Sequence, residues 1–192
     1  MATHITAITG GIGCGKSVVS RILSTMGYSV YDCDSRAKAL MDDSDEIKGR
    51  IASEISKDAI CDGAICRKVL SEIVFNDPEA LKILNSIVHS AVRDDVAAWA
   101  LGIDGRVWVE TAILYESGLH RFADDAWEVV APVELRIERV MRRNGLSYDE
   151  VLSRVNSQGL LVPDEKILTR EIVNDGCMPL LPQINALLKI GK

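Results

Sequence analysis

The chain has 192 residues, of which 47% are apolar, and a formal net charge of −6. That length supports one well-buried core with room for small insertions. The acidic balance argues against a general nucleic-acid surface, which needs clustered positive charge to displace counterions. Cys14, Cys33, Cys61, Cys66 and Cys177 are odd in number, scattered and without Cys-x-x-Cys spacing, so reduced thiols are expected rather than a tetrahedral zinc site. No apolar run approaches the ~20 residues of a membrane helix. The N-terminus enters a strand-like segment with no charged head and cleavage site. The expectation is a cytoplasmic protein with no membrane or nucleic-acid partner and no obligate protein partner.

In chain order, Ile5–Thr9 is a short apolar run leading into glycines, and Ser17–Met26 follows with helical spacing through Val18, Ile22 and Met26. Tyr28–Tyr31 reads as a second strand ending at Asp32-Cys33-Asp34, and Arg36–Met41 resumes as a helix. From Ile47 to Ala100 the pattern is mostly helical, broken at Asp62-Gly63 and near Asn76-Asp77-Pro78. This middle stretch has the character of an insertion. Val107–Val109 and Glu128–Ala131 are further β-branched-rich runs, each followed by helical sequence, and Glu171–Val173 ends at the turn-like Asn174-Asp175-Gly176. Strands alternating with helices predict an α/β fold with a parallel sheet covered by helices.

Gly10-Gly11-Ile12-Gly13-Cys14-Gly15-Lys16-Ser17 fits G-x-x-x-x-G-K-[ST] and lies between a predicted strand and a predicted helix, the context this phosphate-binding motif requires. Glycines let the backbone wrap a phosphate with its N–H groups, and the helix N-terminus adds a favourable dipole. Gly11, Ile12, Gly13, Cys14, Gly15, Lys16 and Ser17 are therefore the predicted ATP contacts. Lys16 would reach the β- and γ-phosphates, and Ser17 would hold Mg²⁺ through its hydroxyl. Cys14 stands at a helix N-terminus beside Lys16, where a thiolate is favoured and the pKa is expected to fall.

Asp32 and Asp34 share a side if the second strand continues through them. Asp34 could accept a proton from an attacking hydroxyl while Asp32 positions it or a metal-bound water, or one of the two could simply cap the helix that starts near Ser35. Glu110 closes a predicted strand, where a carboxylate can order metal-bound water, and Glu116 competes for that role. Arg136, Arg139, Arg142 and Arg143 fall on one predicted helix with i,i+3 and i,i+4 spacings. They could neutralise charge in phosphoryl transfer or form a solvated face with Glu134 and Glu138.

Taken together, Asp32-Cys33-Asp34, Arg67-x-x-Leu70 with Phe75, Leu84-Asn85 with His89, Ile113-Leu114-Tyr115-Glu116, Arg139-x-x-x-Arg143, Gln158 and Ile172-x-Asn174-x-Gly176 resemble the dephospho-CoA kinase family over nearly the whole chain. Family members phosphorylate the ribose 3′-hydroxyl of dephospho-CoA with ATP, the last step of coenzyme A synthesis. The resemblance implies ATP, dephospho-CoA and Mg²⁺ as partners, with Asp34 as base and Arg143 as a lid residue over the phosphates. It implies Asp32, Arg67, His89 and Arg93 as acceptor contacts, and Asn174 near adenine. It also implies a P-loop kinase core with a parallel sheet flanked by helices, a helical acceptor-binding insertion and a small helical lid. As one kinase unit over 1–192, the core would comprise 1–43, 104–135 and 168–192, the acceptor region 44–103 and the lid 136–167. The chain departs from the family pattern at Cys14, Ser90, Ala112 and Leu168-Thr169, none of which removes a charged group. A GTPase is disfavoured because no Asn-Lys-x-Asp signature occurs, and a shikimate-type kinase because no Gly-Gly-Gly segment does.

Overall fold

A computed structural model describes residues 3–157 and 167–190. Two compact units divide the chain, one formed by Met1–Tyr31 with Ala100–Lys192 and the other by Asp32–Trp99. The division falls at Tyr31 and Asp32, so the helix that follows Asp32 goes with the second unit and not with the sheet.

In the first unit, β1 (His4–Thr9) runs into the phosphate loop and then α1 (Lys16–Thr25), and β2 (Val30–Asp32) ends where the second unit begins. The second unit contains α2 (Cys33–Asp43), α3 (Asp45–Glu54), a hairpin of β3 (Ile60–Cys61) and β4 (Ala64–Ile65), and α4 (Arg67–Asn76). α5 (Pro78–Leu101) then carries the chain back. The first unit resumes with β5 (Arg106–Glu110), β6 (Asp125–Val130), α6 (Val133–Asn144), α7 (Tyr148–Ser157), β7 (Thr169–Val173) and α8 (Leu180–Ile190).

The sheet has the order β2-β5-β1-β6-β7, with β1 parallel to β5 and β6, and β6 parallel to β7. β1 is central, and the chain leaves it in opposite directions on its two sides, so the loop after Thr9 opens at a topological switch point beyond the strands' carboxyl ends. Ala7, Ile8, Val107, Trp108, Val109, Ala126 and Trp127 are all buried without alternation, as expected for a sheet covered on both faces. Trp108 and Trp127 meet edge to face at 5.9 Å within a cluster that takes Val19 and Leu23 from α1 and Ile184 from α8.

At the amino edge of the sheet Asp125 accepts hydrogen bonds from Thr6 Oγ1 at 2.6 Å, Arg106 Nη2 at 2.8 Å and Arg170 Nη1 at 2.7 Å. Burial works to raise its carboxyl, but the Thr6 hydroxyl and the Arg106 charge outweigh that and hold it below the usual carboxylate range. Replacing Asp125 with Asn leaves two guanidinium groups facing one amide. A loss of about 2–3 kcal/mol is expected, at or below the low end for a buried pair because both arginines keep some solvent. A depressed folded pKa contributes stability above the unfolded value of about 3.9 and loses it as pH falls through the lower folded value. Urea unfolding of parent and Asp125→Asn should therefore show a gap that is constant above about pH 5 and narrows below about pH 4. An equal gap at pH 3 and pH 6 would refute the account.

In the second unit Ile47, Ile51, Ala59, Ile65, Leu70 and Ile87 form a separate core. The break expected at Asp62-Gly63 is the turn of the β3–β4 hairpin. Both residues have positive φ, 52° and 77°, the conformation whose twist matches a two-residue hairpin. Two-residue strands carry too little alternation to be read in sequence, so the hairpin was not anticipated within a stretch of helical pattern. The break at Asn76-Asp77-Pro78 is a helix start: Asp77 Oδ1 accepts from the N–H groups of Glu79 at 2.9 Å and Ala80 at 3.2 Å.

Candidate active site

The phosphate loop is built by backbone conformation. Gly15 is the N-cap of α1 at φ 98° with no side chain occupying the cap, so, although Val18 N already donates to Gly15 O at 3.0 Å, no side chain competes with an anion for the helix N-terminus. Gly13 has φ 78°, and a methyl group there would fall 2.5 Å from the Arg136 carbonyl oxygen. Both positions therefore admit only glycine.

With N–H groups turned inward, a phosphate loop presents its carbonyls outward, and side chains from distant elements take them up here. Arg136 Nε donates to Ile12 O at 2.9 Å, and Asn174 Nδ2 donates to Cys14 O at 2.7 Å. Arg139 Nη1 donates to Asn174 O at 3.1 Å, and Nη2 reaches Asn174 Oδ1 at 3.4 Å. Asn174 is itself held by its N–H on Val130 O at 2.8 Å. The arginine helix is thus divided. Arg136 and Arg139 turn to the loop, Arg142 pairs with Glu138 on the surface, and Arg143 lies exposed in the last turn, bonded to Asn144 Oδ1 at 2.8 Å. Sequence spacing grouped the four arginines but could not separate them, because the i,i+4 pattern is equally satisfied by a solvated face. Gln158 and most of the stretch before Ile172 lie outside the described residues.

Lys16 Nζ donates to Gly10 O at 2.9 Å and Gly11 O at 3.4 Å, folded over the loop it is expected to serve. Ser17 is exposed in the first turn of α1. It is one oxygen ligand, and among the described residues no group of three or more His, Cys, Asp or Glu could hold a metal ion. A single hydroxyl suits Mg²⁺, which retains waters and takes phosphate oxygens in preference to an all-protein cage.

Cys14 corrects the sequence expectation. Its side chain is 1% exposed and packs in the cluster with Ile8, Trp108 and Val129. Burial pushes the thiol up, and the opposing charges of Lys16 and Arg136 do not reverse this. The residue is an inert core thiol with a backbone role in the loop.

In the second unit the strand does not continue through the aspartate pair. Asp32 is the N-cap of α2: its carboxylate accepts from Asp34 N at 3.0 Å, Ser35 N at 3.2 Å and Ser35 Oγ at 2.6 Å. Asp34 sits in the first helical turn, exposed. The side-sharing expected of two strand residues is replaced by helical geometry, which separates a capping acid from a solvent-facing one. Arg67 opens α4 and grips Asp42 with Nη2 at 2.7 and 2.8 Å from its two oxygens. His89 and Arg93 are half-buried on α5 and share a face at i,i+4. On the first unit, Glu110 is half-buried at the carboxyl end of β5 opposite Ile8 of β1, whereas Glu116 is exposed in a turn.

The family model for dephospho-CoA kinase matches residues 4–177. The chain belongs to the dephospho-CoA kinase family. A family member from Porphyromonas gingivalis is 40% identical over 152 residues, covering 79% of this chain and 75% of that one. One from Bacteroides fragilis is 34% identical over 186 residues, covering 94% and 89%. The crystal structure of TT1252 from Thermus thermophilus matches with a TM-score of 0.77 at 33% identity, over 99% of this chain and 96% of that one. The parallel sheet and helices are the fold of dephospho-CoA kinases, as expected from the resemblance.

Proposed function

We propose that this chain carries out its family's reaction, transfer of the ATP γ-phosphoryl group to the ribose 3′-hydroxyl of dephospho-CoA, with the phosphate loop holding the nucleotide and Asp34 accepting the acceptor's proton. The observation that carries the reading is the open N-terminus of α1 behind Gly15, whose N–H groups have no side-chain cap and whose loop carbonyls are braced from outside. Lys16 moves its ammonium from the Gly10 and Gly11 carbonyls to the β/γ-phosphates, a short swing of a flexible side chain.

Ser17 would hold Mg²⁺ through its hydroxyl, and the ion would supply charge neutralisation at the ATP phosphates. Glu110, at the carboxyl end of β5 beside the strand that feeds the loop, is the better of the two glutamates to order water there. Asp34 stands in the first turn of α2, with Asp32 holding that turn in place. Arg67, His89 and Arg93 of the Asp32–Trp99 unit bind the acceptor's phosphate and ribose groups, and Arg143 closes over the transferred group from the end of α6. The reaction needs positioning and charge neutralisation more than covalent chemistry, which suits a site of N–H groups and cations. No described helix is long and apolar enough to cross a membrane, and a cytoplasmic site of action fits a supply of ATP.

The test is product analysis by mass and phosphorus NMR after incubation with ATP·Mg²⁺ and, in parallel, dephospho-CoA, its 3′-deoxy analogue, AMP, adenosine and shikimate. Dephospho-CoA alone should react rapidly, at the 3′-oxygen, since binding energy from its diphosphate and pantetheine arm places one hydroxyl in line. Efficient turnover of AMP or shikimate without dephospho-CoA would overturn the reading.

A further inference from the structure

We infer that Arg136 is a positioning residue for the triphosphate, one that holds the Gly11-Ile12-Gly13 edge of the phosphate loop in its anion-receptive form. This rests on the kinase reading of that loop. Three contacts from one residue converge on three consecutive loop positions. The Arg136 Nε–H satisfies the Ile12 carbonyl at 2.9 Å. Its guanidinium occupies the space a side chain on Gly11 would need, with Cζ 2.7 Å from the place of a Cβ there. Its own backbone carbonyl lies against Gly13 in the same way, at 2.5 Å. The Ile12 side chain is anchored as well, packed against the α6–α7 cluster of Ile137, Val140, Val151 and Val155.

The physical need for such a clamp follows from the direction of the loop's dipoles. For its N–H groups to converge on phosphate, the opposite ends of the same peptides must point outward, and an outward carbonyl with no donor is free to rotate back. Lys16 supplies donors to Gly10 O and Gly11 O, but those bonds are given up when its ammonium turns to the phosphates. Asn174 holds Cys14 O, and Arg139 approaches Gly13 O at 3.5 Å. Ile12 O takes a hydrogen bond from Arg136, and that bond does not depend on Lys16 and so persists once nucleotide has bound. The cation adds to the positive field as well, since its charge is felt at Cys14.

The experiment contrasts two variants of equal length and different hydrogen-bonding capacity. Arg136→Met fills the space without a donor, and Arg136→Gln keeps a planar N–H group able to reach Ile12 O. Equilibrium titration with ATP·Mg²⁺ in the absence of acceptor should show Kd for Arg136→Met raised about ten- to a hundredfold, the cost of losing a charge-assisted hydrogen bond. Arg136→Gln should remain within about fivefold of the parent. In steady state the rise should appear in KM for ATP while KM for dephospho-CoA stays unchanged. Gly11→Ala should displace the guanidinium and raise Kd by a similar factor in the parent, yet add little in the Arg136→Met background. Equal Kd values for Arg136→Met and Arg136→Gln, or a Gly11→Ala effect undiminished without Arg136, would overturn the inference. Because Kd is read without acceptor, a parent protein that fails to phosphorylate dephospho-CoA would sink the kinase reading and leave the Arg136 result to be judged separately.

Discussion

Lys16→Ala is expected to abolish measurable phosphoryl transfer while leaving the fold intact. The ammonium lies over the loop and donates to the Gly10 and Gly11 carbonyls, so its removal strips two partly buried hydrogen bonds. The expected stability loss is about 1 kcal/mol or less. The expected rate loss is much larger, because negative charge moves onto the leaving β,γ-bridging oxygen in a loose transition state and a preorganised cation beside it has no solvent substitute. Removing a comparable single donor elsewhere costs about 10²–10³ in kcat, and a full charge should cost at least that. Lys16→Arg should not restore activity, since a planar guanidinium cannot enter a cradle shaped for a compact ammonium. The check is kcat and KM for both substrates, with thermal unfolding alongside. A Lys16→Ala enzyme within tenfold of parent kcat would remove Lys16 from the chemistry.

Asp34→Asn is expected to give the second large effect, a fall in kcat of about 10²–10⁴ with ATP binding retained. Asp34 is exposed in the first turn of α2, and its backbone N–H is bonded to Asp32 whatever its side chain is. The amide keeps size and hydrogen bonding, and only the lost favourable interaction with the helix N-terminus, a few tenths to about 1 kcal/mol, bears on stability. Asp32→Ala provides the contrast. Asp32 accepts three hydrogen bonds at the head of the same helix, so its loss should cost about 0.5–2 kcal/mol of stability, with any fall in rate following from a misplaced Asp34. Chemical denaturation and single-turnover kinetics on both variants separate the two roles. If Asp34→Asn turns over within threefold of parent while Asp32→Ala is slow, the base assignment belongs to another group.

What could be read directly from sequence was whatever is encoded by neighbours in the chain. The phosphate loop is of this kind: its glycines, lysine and hydroxyl are contiguous, the requirement for positive φ at Gly13 and Gly15 is local, and the flanking strand and helix show their own periods. So is the alternation of strands and helices that announces an α/β sheet. The acceptor-side residues were legible only as an ordered resemblance, because Arg67, His89 and Arg93 lie on separate or long helices with no local pattern to mark them.

Tertiary structure decided the remainder, wherever the deciding atom lies far along the chain. Cys14 has a helix N-terminus and a lysine for neighbours, which favour a thiolate, but Trp108 and Val129 pack against it, and the resulting loss of water outweighs both. The four arginines of α6 carry one spacing and three fates, because only docking of that helix on the loop 124 residues earlier turns Arg136 inward and leaves Arg143 outside. Asp32 and Asp34 part company because α2 begins one residue after Asp32, converting a strand's shared face into a cap and a first-turn acid. In each case local sequence set the chemical groups available, while burial and long-range hydrogen bonding selected which of them act, since dielectric and partner are properties of the folded surroundings and not of the adjacent residues.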